Sequence, residues 1–191
     1  LQKVGFEVGR LKTGTPPRVD ARSVDFERMV RQNGDEPPLP FSFLNDELRI
    51  EQMPCWVTYT NARTHQVIAD NLAKSALYGG KIHATGVRYC PSIEDKVVKF
   101  AHKERHQVIL EPEGRQTTEL YVNGVSNSLP ADIQERFLRT IAGLEEARIT
   151  RFGYGIEYDF FPPTQLSPTL ETKLVDGLFF AGQINGTTGY E

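Results

Sequence analysis

The sequence predicts a mixed α/β protein, of the α/β or α+β class, in which a small α/β domain is inserted into a larger one. Short β-branched and aromatic runs alternate with segments of helical periodicity. Hydrophobic residues make up 39% of the 191 residues and charged residues 25%, which is typical of a globular chain with a buried core. A polar, proline-containing stretch at residues 20–47 indicates an excursion out of the first domain.

The first half of the chain contains the predicted insertion. Residues 5–11 favour a strand, and a loop with Gly14 and two prolines follows it. The satellite domain is expected at residues 19–85, and the main domain at residues 1–18 and 86–191. Three elements are predicted within the satellite: a strand at 56–60, a helix at 62–77 ended by two glycines, and a return strand at 81–85.

The second half returns to the main domain. Ser92 followed by Asp95 is a capping-box pattern that opens a helix. The other predicted elements are strands at 107–110 and 119–122, a helix from Pro130 to Gly143 and an alternating strand at 154–160. The apolar run 178–181 is typical of a strand that feeds a helix, and that helix is missing before Glu191. Since the chain also begins with Leu1, we expect an internal segment of a longer protein.

Composition and charge exclude several classes of protein. No run approaches the roughly 20 apolar residues that span a bilayer, so no membrane association is expected. Lys and Arg total 22 against 25 Asp and Glu, which argues against a protein dedicated to coating nucleic acid. The basic residues Arg18, Arg22, Arg28 and Arg31 alternate with acidic ones, so a solvated surface is their default interpretation and RNA contact an alternative. Two cysteines favour a reducing, cytoplasmic setting.

Cys90 is the candidate catalytic nucleophile. It precedes the helix that Ser92 is expected to cap, and Arg88 lies two residues before it. The positive end of a helix and a nearby cation both favour a thiolate. The alternative is a buried cysteine that acts as a small hydrophobe. Cys55 has no basic or capping neighbour and is expected to be structural.

The four histidines do not predict a metal site. His65, His83, His102 and His106 lack the close spacing of zinc ligands, and no cysteine or carboxylate group completes a tetrad. Solvated histidines are the favoured interpretation.

The C-terminal run predicts a ligand-binding turn. Small residues at 181–182 follow the apolar run, and backbone can approach a ligand closely at such positions. Thr187, Thr188 and Gly189 add hydroxyl and backbone N–H groups that suit a phosphate. A tight turn without a ligand is the alternative, because no GxGxxG motif occurs in the chain.

Five motifs together resemble the MnmG (GidA) family. The longest are RLKTGTPPR at residues 10–18, RYCPSIEDK at 88–96 and FFAGQINGTTGYE at 179–191. LEPEG at 110–114 and YGIEYD at 154–159 also match. The resemblance runs in order over essentially the whole chain, and motifs of this length are highly specific.

The resemblance implies a fold and an activity. The chain would be part of a glutathione-reductase-like FAD-binding domain that carries an inserted small α/β domain. The family modifies C5 of the wobble uridine of tRNA with a carboxymethylaminomethyl-type group, together with the GTPase MnmE. It uses FAD, NADH and methylene-tetrahydrofolate as the carbon donor, and a homodimer is expected for the full-length protein. Family parts that lie outside these residues include the GxGxxG turn, so this chain is expected to be inactive alone.

The resemblance also implies site residues. Cys90 corresponds to a cysteine with a proposed catalytic role. The FAD contacts would come from Gly14, Thr15, Gly182, Gln183, Asn185, Gly186, Thr187 and Thr188. The NAD contacts would come from Gly86, Arg88, Tyr89, Cys90, Pro91, Ser92, Ile93, Glu94, Asp95, Lys96 and Phe100.

The implied chemistry agrees with the nucleophile that the residues predict. Addition of a thiolate to C6 of uracil makes C5 able to attack a one-carbon electrophile. A cysteine outside this chain is an alternative nucleophile, and Glu94 and Asp95 are candidate proton carriers or simply capping and solvated groups. Two other functions stay open: a flavin- and folate-dependent tRNA uracil methyltransferase of the TrmFO type, and a module that binds tRNA or a partner without chemistry of its own.

Overall fold

The computed structural model, which describes residues 1–87 and 90–186, contains two β-sheets built from distant parts of the chain. The strands are β1 (Gly9–Gly14), β2 (Arg18–Asp20), β3 (Val30–Gln32), β4 (Cys55–Tyr59), β5 (Thr85–Gly86), β6 (Gln107–Pro112), β7 (Glu119–Asn123), β8 (Ile149–Arg151) and β9 (Gly155–Phe160). The α-helices are α1 (Ala62–Ala69), α2 (Ile93–Lys99) and α3 (Ala131–Leu138). Short 3₁₀ turns occur at Gln2–Val4, Ala21–Ser23, Phe26–Arg28, Leu72–Lys74, Pro163–Gln165 and Gly182–Asn185. The mixed α/β class predicted from the sequence is confirmed.

The smaller sheet has the strand order β5-β1-β9. Strand β1 pairs in parallel with β5 and antiparallel with β9, where Gly9 lies opposite Phe160 and Gly14 opposite Gly155. An aromatic cluster of Phe6, Phe161 and Phe180 packs beside this sheet. The central strand β1 therefore connects the loop before α2 to the C-terminal part of the chain.

The larger sheet has the order β3-β4-β6-β7-β2-β8, and its neighbouring strands are antiparallel. Its buried face packs against the helices, and the main core includes Val108, Leu110, Ile133, Phe137 and Ile141, each fully buried. Burying a side chain of this size stabilises the fold by about 1.5–3 kcal/mol. Among the described residues, none of the helices has the length and apolar character needed to cross a bilayer.

The larger sheet extends beyond the predicted satellite domain. Strands β6, β7 and β8 come from residues 107–151, yet they hydrogen-bond in the same sheet as β2, β3 and β4. The predicted limit of the insertion at residue 85 therefore does not mark the end of this sheet. Residue patterns show where a strand lies but not which distant strand it pairs with.

Several predicted elements have different limits in the structure. The strand predicted at 5–11 begins only at Gly9, because Gly5 adopts φ 111° and ends a 3₁₀ turn. The helix predicted to reach residue 77 ends at Ala69, where the Asn71 side chain caps the Val67 carbonyl at 2.8 Å. The return strand predicted at 81–85 is reduced to Thr85–Gly86. The helix that starts after Pro130 ends at Leu138 rather than near Gly143.

The apolar run 178–181 does not form the predicted strand. Phe179 makes only an isolated bridge to Glu171, and the Phe180 amide donates to the Leu170 carbonyl at 3.1 Å. Leu170 has a positive φ of 67°, which bends the chain here. The apolar character of the run reflects instead the packing of Phe180 in the aromatic cluster.

The capped helix α2 forms as predicted, and a buried carboxylate next to its cap ties it to two other segments. Ser92 Oγ accepts a hydrogen bond from the Asp95 amide at 3.2 Å. Glu94 is fully buried, and its Oε1 accepts from Ser75 Oγ at 2.9 Å, the Ser128 amide at 2.9 Å and Ser128 Oγ at 3.2 Å. Its Oε2 is buried without a hydrogen-bond partner among the described residues. Glu94 is therefore packed inside the protein. The solvated position, which was one of the alternatives left open for it, is wrong.

We expect Glu94→Ala to lower the free energy of unfolding by about 3 kcal/mol, because two buried donors on Ser128 lose their acceptor, while the Ser75 hydroxyl can still donate to Ser128 Oγ at 2.8 Å. Chemical denaturation monitored by circular dichroism measures the change. Glu135→Ala is the matched control, since Glu135 is an exposed carboxylate on α3 whose loss should change the stability by less than about 0.5 kcal/mol. Equal stabilities of the two variants would contradict the structural role of Glu94.

Two histidine rings pack together at the end of β4, and their surroundings disfavour the protonated form of both rings. The rings of His65 and His106 lie 5.2 Å apart, and His106 is 8% exposed. Burial, with added repulsion from His65 and Lys96, lowers the pKa of His106 to about 4. Burial also lowers the pKa of His65. Both imidazoles are therefore neutral at pH 7, and their burial replaces the predicted solvated state for this pair.

The pKa of His106 predicts a pH dependence of stability. The unfolded ring titrates near 6.5, so between about pH 6.5 and 4 the unfolded chain binds a proton that the folded chain does not. Stability is fully present above this window and falls as the pH falls through it. From pH 7 to 5, wild type should lose about 1–2 kcal/mol more than His106→Gln, measured by urea denaturation. His102→Gln, at an exposed position, should follow wild type; indistinguishable slopes for His106→Gln and wild type would refute the assignment.

Candidate functional site

Cys90 is exposed on the loop between β5 and α2, two residues before the capping Ser92. Its carbonyl accepts a hydrogen bond from Thr13 Oγ1 of β1 at 3.0 Å. This contact fixes the backbone of Cys90 against the central strand of the smaller sheet. The structure therefore places the predicted nucleophile on the surface and not in the apolar core, which was the alternative for a lone cysteine.

Two side chains, Lys96 and Tyr121, interact electrostatically with Cys90. Lys96 of α2 donates to the Gly124 carbonyl at 2.8 Å, and its pKa is lowered by burial while the charge of Cys90 opposes that shift. Tyr121 of β7 has a pKa raised mainly by burial, and Cys90 adds to the increase. The guanidinium of Arg18 lies 4.8 Å from the centre of the Tyr121 ring. Cys90 is thus within electrostatic range of a lysine and of a tyrosine whose ring carries a cation.

Sequence reasoning missed Tyr121 as part of this site. It was recognised only as a residue of a predicted strand, and the larger sheet brings it to Cys90 across 31 positions of the chain. In the sequence, Arg18 was only one of several basic residues, and a solvated surface was their default interpretation. Its ion pair with Glu113 at 2.7 Å and its position over Tyr121 show that it is ordered.

The predicted NAD segment separates into exposed and buried residues. Ser92, Ile93 and Glu94 are buried, so their side chains hold α2 in place. A dinucleotide lying along the segment would meet the other members that the structure describes. These are Gly86, Cys90, Pro91, Asp95, Lys96 and Phe100, of which Cys90 and Phe100 are exposed and the rest half-buried. Arg88 and Tyr89 lie outside the described residues.

A polar groove of about 550 Å³ lies beside this segment, along β1 and β5. Lys12 lines it and donates to the Leu77 carbonyl at 2.7 Å. Tyr78 also lines it and donates to Asp95 at 2.9 Å, and burial raises the pKa of its hydroxyl. His83 is exposed at the same groove. Donors and an aromatic ring next to Gly86 suit a polar ligand that approaches the backbone.

The predicted FAD residues at 182–186 form a 3₁₀ turn with a glycine at each end. Gly182 and Gly186 have φ values of 81° and 74°, and a Cβ on Gly186 would lie 2.5 Å from the Phe160 ring. Asn185 is buried and donates to the Phe180 carbonyl at 2.9 Å, whereas its Oδ1 has no partner among the described residues. Gln183 is exposed. A buried acceptor without a donor beside two glycines fits a hydroxyl-bearing ligand such as the ribityl chain of a flavin.

The other predicted flavin residues have tight structural contacts. A Cβ on Gly14 would lie 2.6 Å from the Asn127 amide nitrogen, so glycine is needed for the approach of two backbones. Thr15 Oγ1 accepts from the Tyr154 amide at 2.8 Å, and Thr15 forms a bridge to Asn127. Thr187 and Thr188 lie outside the described residues.

The remaining metal and cysteine candidates do not form a site. Among residues 1–87 and 90–186, no group of three or more His, Cys, Asp or Glu side chains is arranged to hold a metal ion. Cys55 is half-buried in β4, and burial raises the pKa of its thiol. Its position agrees with the structural role expected for it.

Comparisons with known proteins identify relatives along the entire chain. The family model for glucose inhibited division protein A matches residues 1–191. Proteins named tRNA uridine 5-carboxymethylaminomethyl modification enzyme MnmG are 58% identical in Thermodesulfovibrio yellowstonii and in Rhodopirellula baltica, and 54% identical in Syntrophomonas wolfei. Each match covers 100% of this chain and 29–31% of the relative. The chain therefore spans about a third of the length of these relatives.

Solved structures give the same result. Aquifex aeolicus GidA in its form I crystal matches 99% of this chain with a TM-score of 0.88 and 52% sequence identity. The form II crystal matches 99% with a TM-score of 0.85 and 49% identity. These matches cover 33% and 30% of the Aquifex chains. The chain belongs to the glucose inhibited division protein A (GidA, MnmG) family.

Proposed function

We propose that these residues are part of an FAD-dependent enzyme that adds a carboxymethylaminomethyl-type group to C5 of the wobble uridine of tRNA. The observation that carries the proposal is the exposed Cys90, whose carbonyl is held by Thr13 and which lies within electrostatic range of Lys96. The printed names of the relatives, which describe tRNA uridine 5-carboxymethylaminomethyl modification, support the reaction class.

The cofactor and partners of the enzyme follow from the same resemblance. FAD would lie against the turn at 182–186, where Gly182, Gly186 and the unpaired Asn185 Oδ1 fit a flavin. NADH would lie along residues 86–100, and methylene-tetrahydrofolate would serve as the carbon donor. The GTPase MnmE is the expected partner of a homodimeric full-length protein. The low cysteine content supports a cytoplasmic setting.

Cys90 is assigned the covalent step on the base. Its thiolate adds to C6 of the uracil, and the electron pair of the C5–C6 bond moves to C5 and the adjacent carbonyl. C5 then bonds to the carbon of a one-carbon electrophile, and the electron pair of the bond that breaks at that carbon moves to the donor atom that carried it. Loss of the C5 proton to a base restores the double bond and releases the thiolate. When bound, the flavin would supply hydride transfer.

The surroundings of Cys90 suit this step. The ammonium of Lys96 provides positive charge near the thiolate, and the exposed position leaves the sulfur accessible to a base. Asp95 is held by Tyr78 at 2.9 Å and by Lys99 at 2.7 Å, so it is the ordered, half-buried carboxylate of the segment. Asp95 is therefore the better candidate for carrying a proton than Glu94, whose Oε1 already accepts three hydrogen bonds.

We expect Cys90→Ser, in a full-length family protein that carries these residues, to reduce tRNA modification by more than about 100-fold, because a hydroxyl is a far weaker nucleophile than a thiolate. Mass spectrometry of tRNA nucleosides measures the product, and flavin absorbance checks that the FAD content is unchanged. Cys55→Ser is the matched control and should retain activity. Near-wild-type turnover of the Cys90 variant would remove this residue from the mechanism.

Gln183→Ala should weaken FAD binding about tenfold, which corresponds to one lost hydrogen bond, while leaving the fold intact. The exposed Gln183 side chain in the glycine-flanked turn motivates this expectation. Flavin fluorescence titration of the apoprotein gives the affinity. Gln116→Ala, at another exposed glutamine, should bind FAD like wild type. Equal affinities of both variants would place the flavin elsewhere.

A further inference from the structure

A second cleft lies at the opposite end of α2 from Cys90. It has a volume of about 880 Å³, and Tyr59, His65, Lys103 and Arg105 are among the residues that line it. Val97 of α2 also faces it. Helix α2 has 7 residues, so at a rise of 1.5 Å per residue it is roughly 10 Å long, with Cys90 before its first residue and the lining residues Val97, Ala101 and Lys103 in its second half and beyond. One extended ligand could occupy both places.

The chain is locally basic at this cleft, although its net charge is −3. Residues 96–106 contain four Lys or Arg and one Glu. Lys103 and Arg105 are exposed, and among the described residues neither forms a salt bridge. Unpaired cations concentrated on one short segment are suited to neutralise phosphates.

The wall of the cleft combines aromatic rings with charged side chains, which are Lys103, Glu104 and Arg105. The Arg105 guanidinium lies 4.2 Å from the centre of the Tyr59 ring, which gives a flat stacked surface. His65 Nε2 bonds to Thr60 Oγ1 at 2.8 Å, and the same hydroxyl accepts from the His106 amide at 2.8 Å. His106, which packs on His65, has a buried Nε2 without a partner among the described residues. His106 packs on His65 but does not line the cleft, so the rings that a ligand would meet are those of Tyr59 and His65.

From this geometry we infer that the cleft binds a nucleotide of single-stranded RNA, with the base against Tyr59 and His65 and the phosphate at Lys103 and Arg105. Aromatic and guanidinium planes stack on any base, and lysine and arginine contact the backbone. The inference rests on the proposed function, because it takes RNA as the substrate. It adds a positioning site that is separate from the reacting cysteine.

A free nucleotide and an acidic protein are the competing occupants. A free nucleotide offers the same base and phosphate groups, but it would occupy the cleft without extending to Cys90. An acidic protein would use Lys103 and Arg105 but would gain little from the aromatic wall. The position of the cleft beyond the first half of α2, with Cys90 before the helix, favours a polymer long enough to reach both places.

The test measures RNA binding by a full-length family protein that carries these residues. The probe is a fluorescein-labelled 12-mer of uridine, and the readout is fluorescence anisotropy at several salt concentrations. The variant Lys103→Ala/Arg105→Ala should raise the Kd at least about tenfold and reduce the salt slope by about 1.4, the value for two lost phosphate contacts. The control Lys3→Ala/Arg136→Ala removes two exposed cations that do not line the cleft and should change the Kd by less than about twofold.

Tyr59→Leu adds a test of stacking, since it should weaken binding of the uridine 12-mer without changing the salt slope. The inference is overturned if the double variant binds like the control, if wild type does not bind the probe, or if uridine monophosphate displaces the probe at concentrations equal to the RNA. The inference would also be overturned if the variant Lys103→Ala/Arg105→Ala kept its RNA affinity but lost its affinity for an acidic partner protein.

Nucleoside analysis of tRNA treated with wild type tests the proposed function independently. Absence of modified uridine rejects that function, whereas the anisotropy result tests the cleft alone.

Discussion

The Glu94 carboxylate is the interaction on which the geometry around Cys90 depends. A helix of 7 residues is too short to be stable alone in water, so α2 is held by its tertiary contacts. Glu94 provides the buried carboxylate among these contacts, and its Oε1 gathers donors from Ser75 and Ser128, which lie 19 and 34 positions away. The loop that carries Cys90 enters this helix, so the position of the thiol follows from a carboxylate that does not touch it.

Strand β1 fixes the same loop from the other side. Thr13 holds the Cys90 carbonyl, while Lys12 donates to Leu77 and Ile82, at 2.7 and 3.4 Å. Neighbouring side chains of one strand thus secure the cysteine loop and the segment before β5. Since β1 is the central strand of the smaller sheet, with both edges paired, it forms a rigid support for the loop.

The sequence predicted the features that local chemistry determines. The Ser92 cap, the strands at β4, β6, β7 and β9, and the position of Cys90 before a helix follow from patterns of a few adjacent residues. The family resemblance added the reaction class. The burial of Glu94 could not be predicted, since an acidic residue in the first turn of a helix is normally solvated and its partners are distant in sequence. The same holds for Tyr121 and for the sheet that continues past residue 85, which depend on strand pairing. The strand predicted at 178–181 was wrong because apolar residues can be buried without forming a regular strand.

The two ends of α2 separate charges that would otherwise interfere. A thiolate and an RNA phosphate repel each other, and the repulsion between unit charges falls with distance and with screening beyond about 10 Å. Cys90 lies before the N-terminal end of the helix, where the dipole favours negative charge. Lys99 and Lys103 lie at and beyond its C-terminal end, where cations are favoured. Lys99 is paired with Asp95 at 2.7 Å, so Lys103 is the cation beyond this end that has no salt bridge among the described residues. Under the proposed function, an RNA whose phosphates are neutralised beyond the C-terminal end of α2 would present a neutral base to the cysteine at the other end.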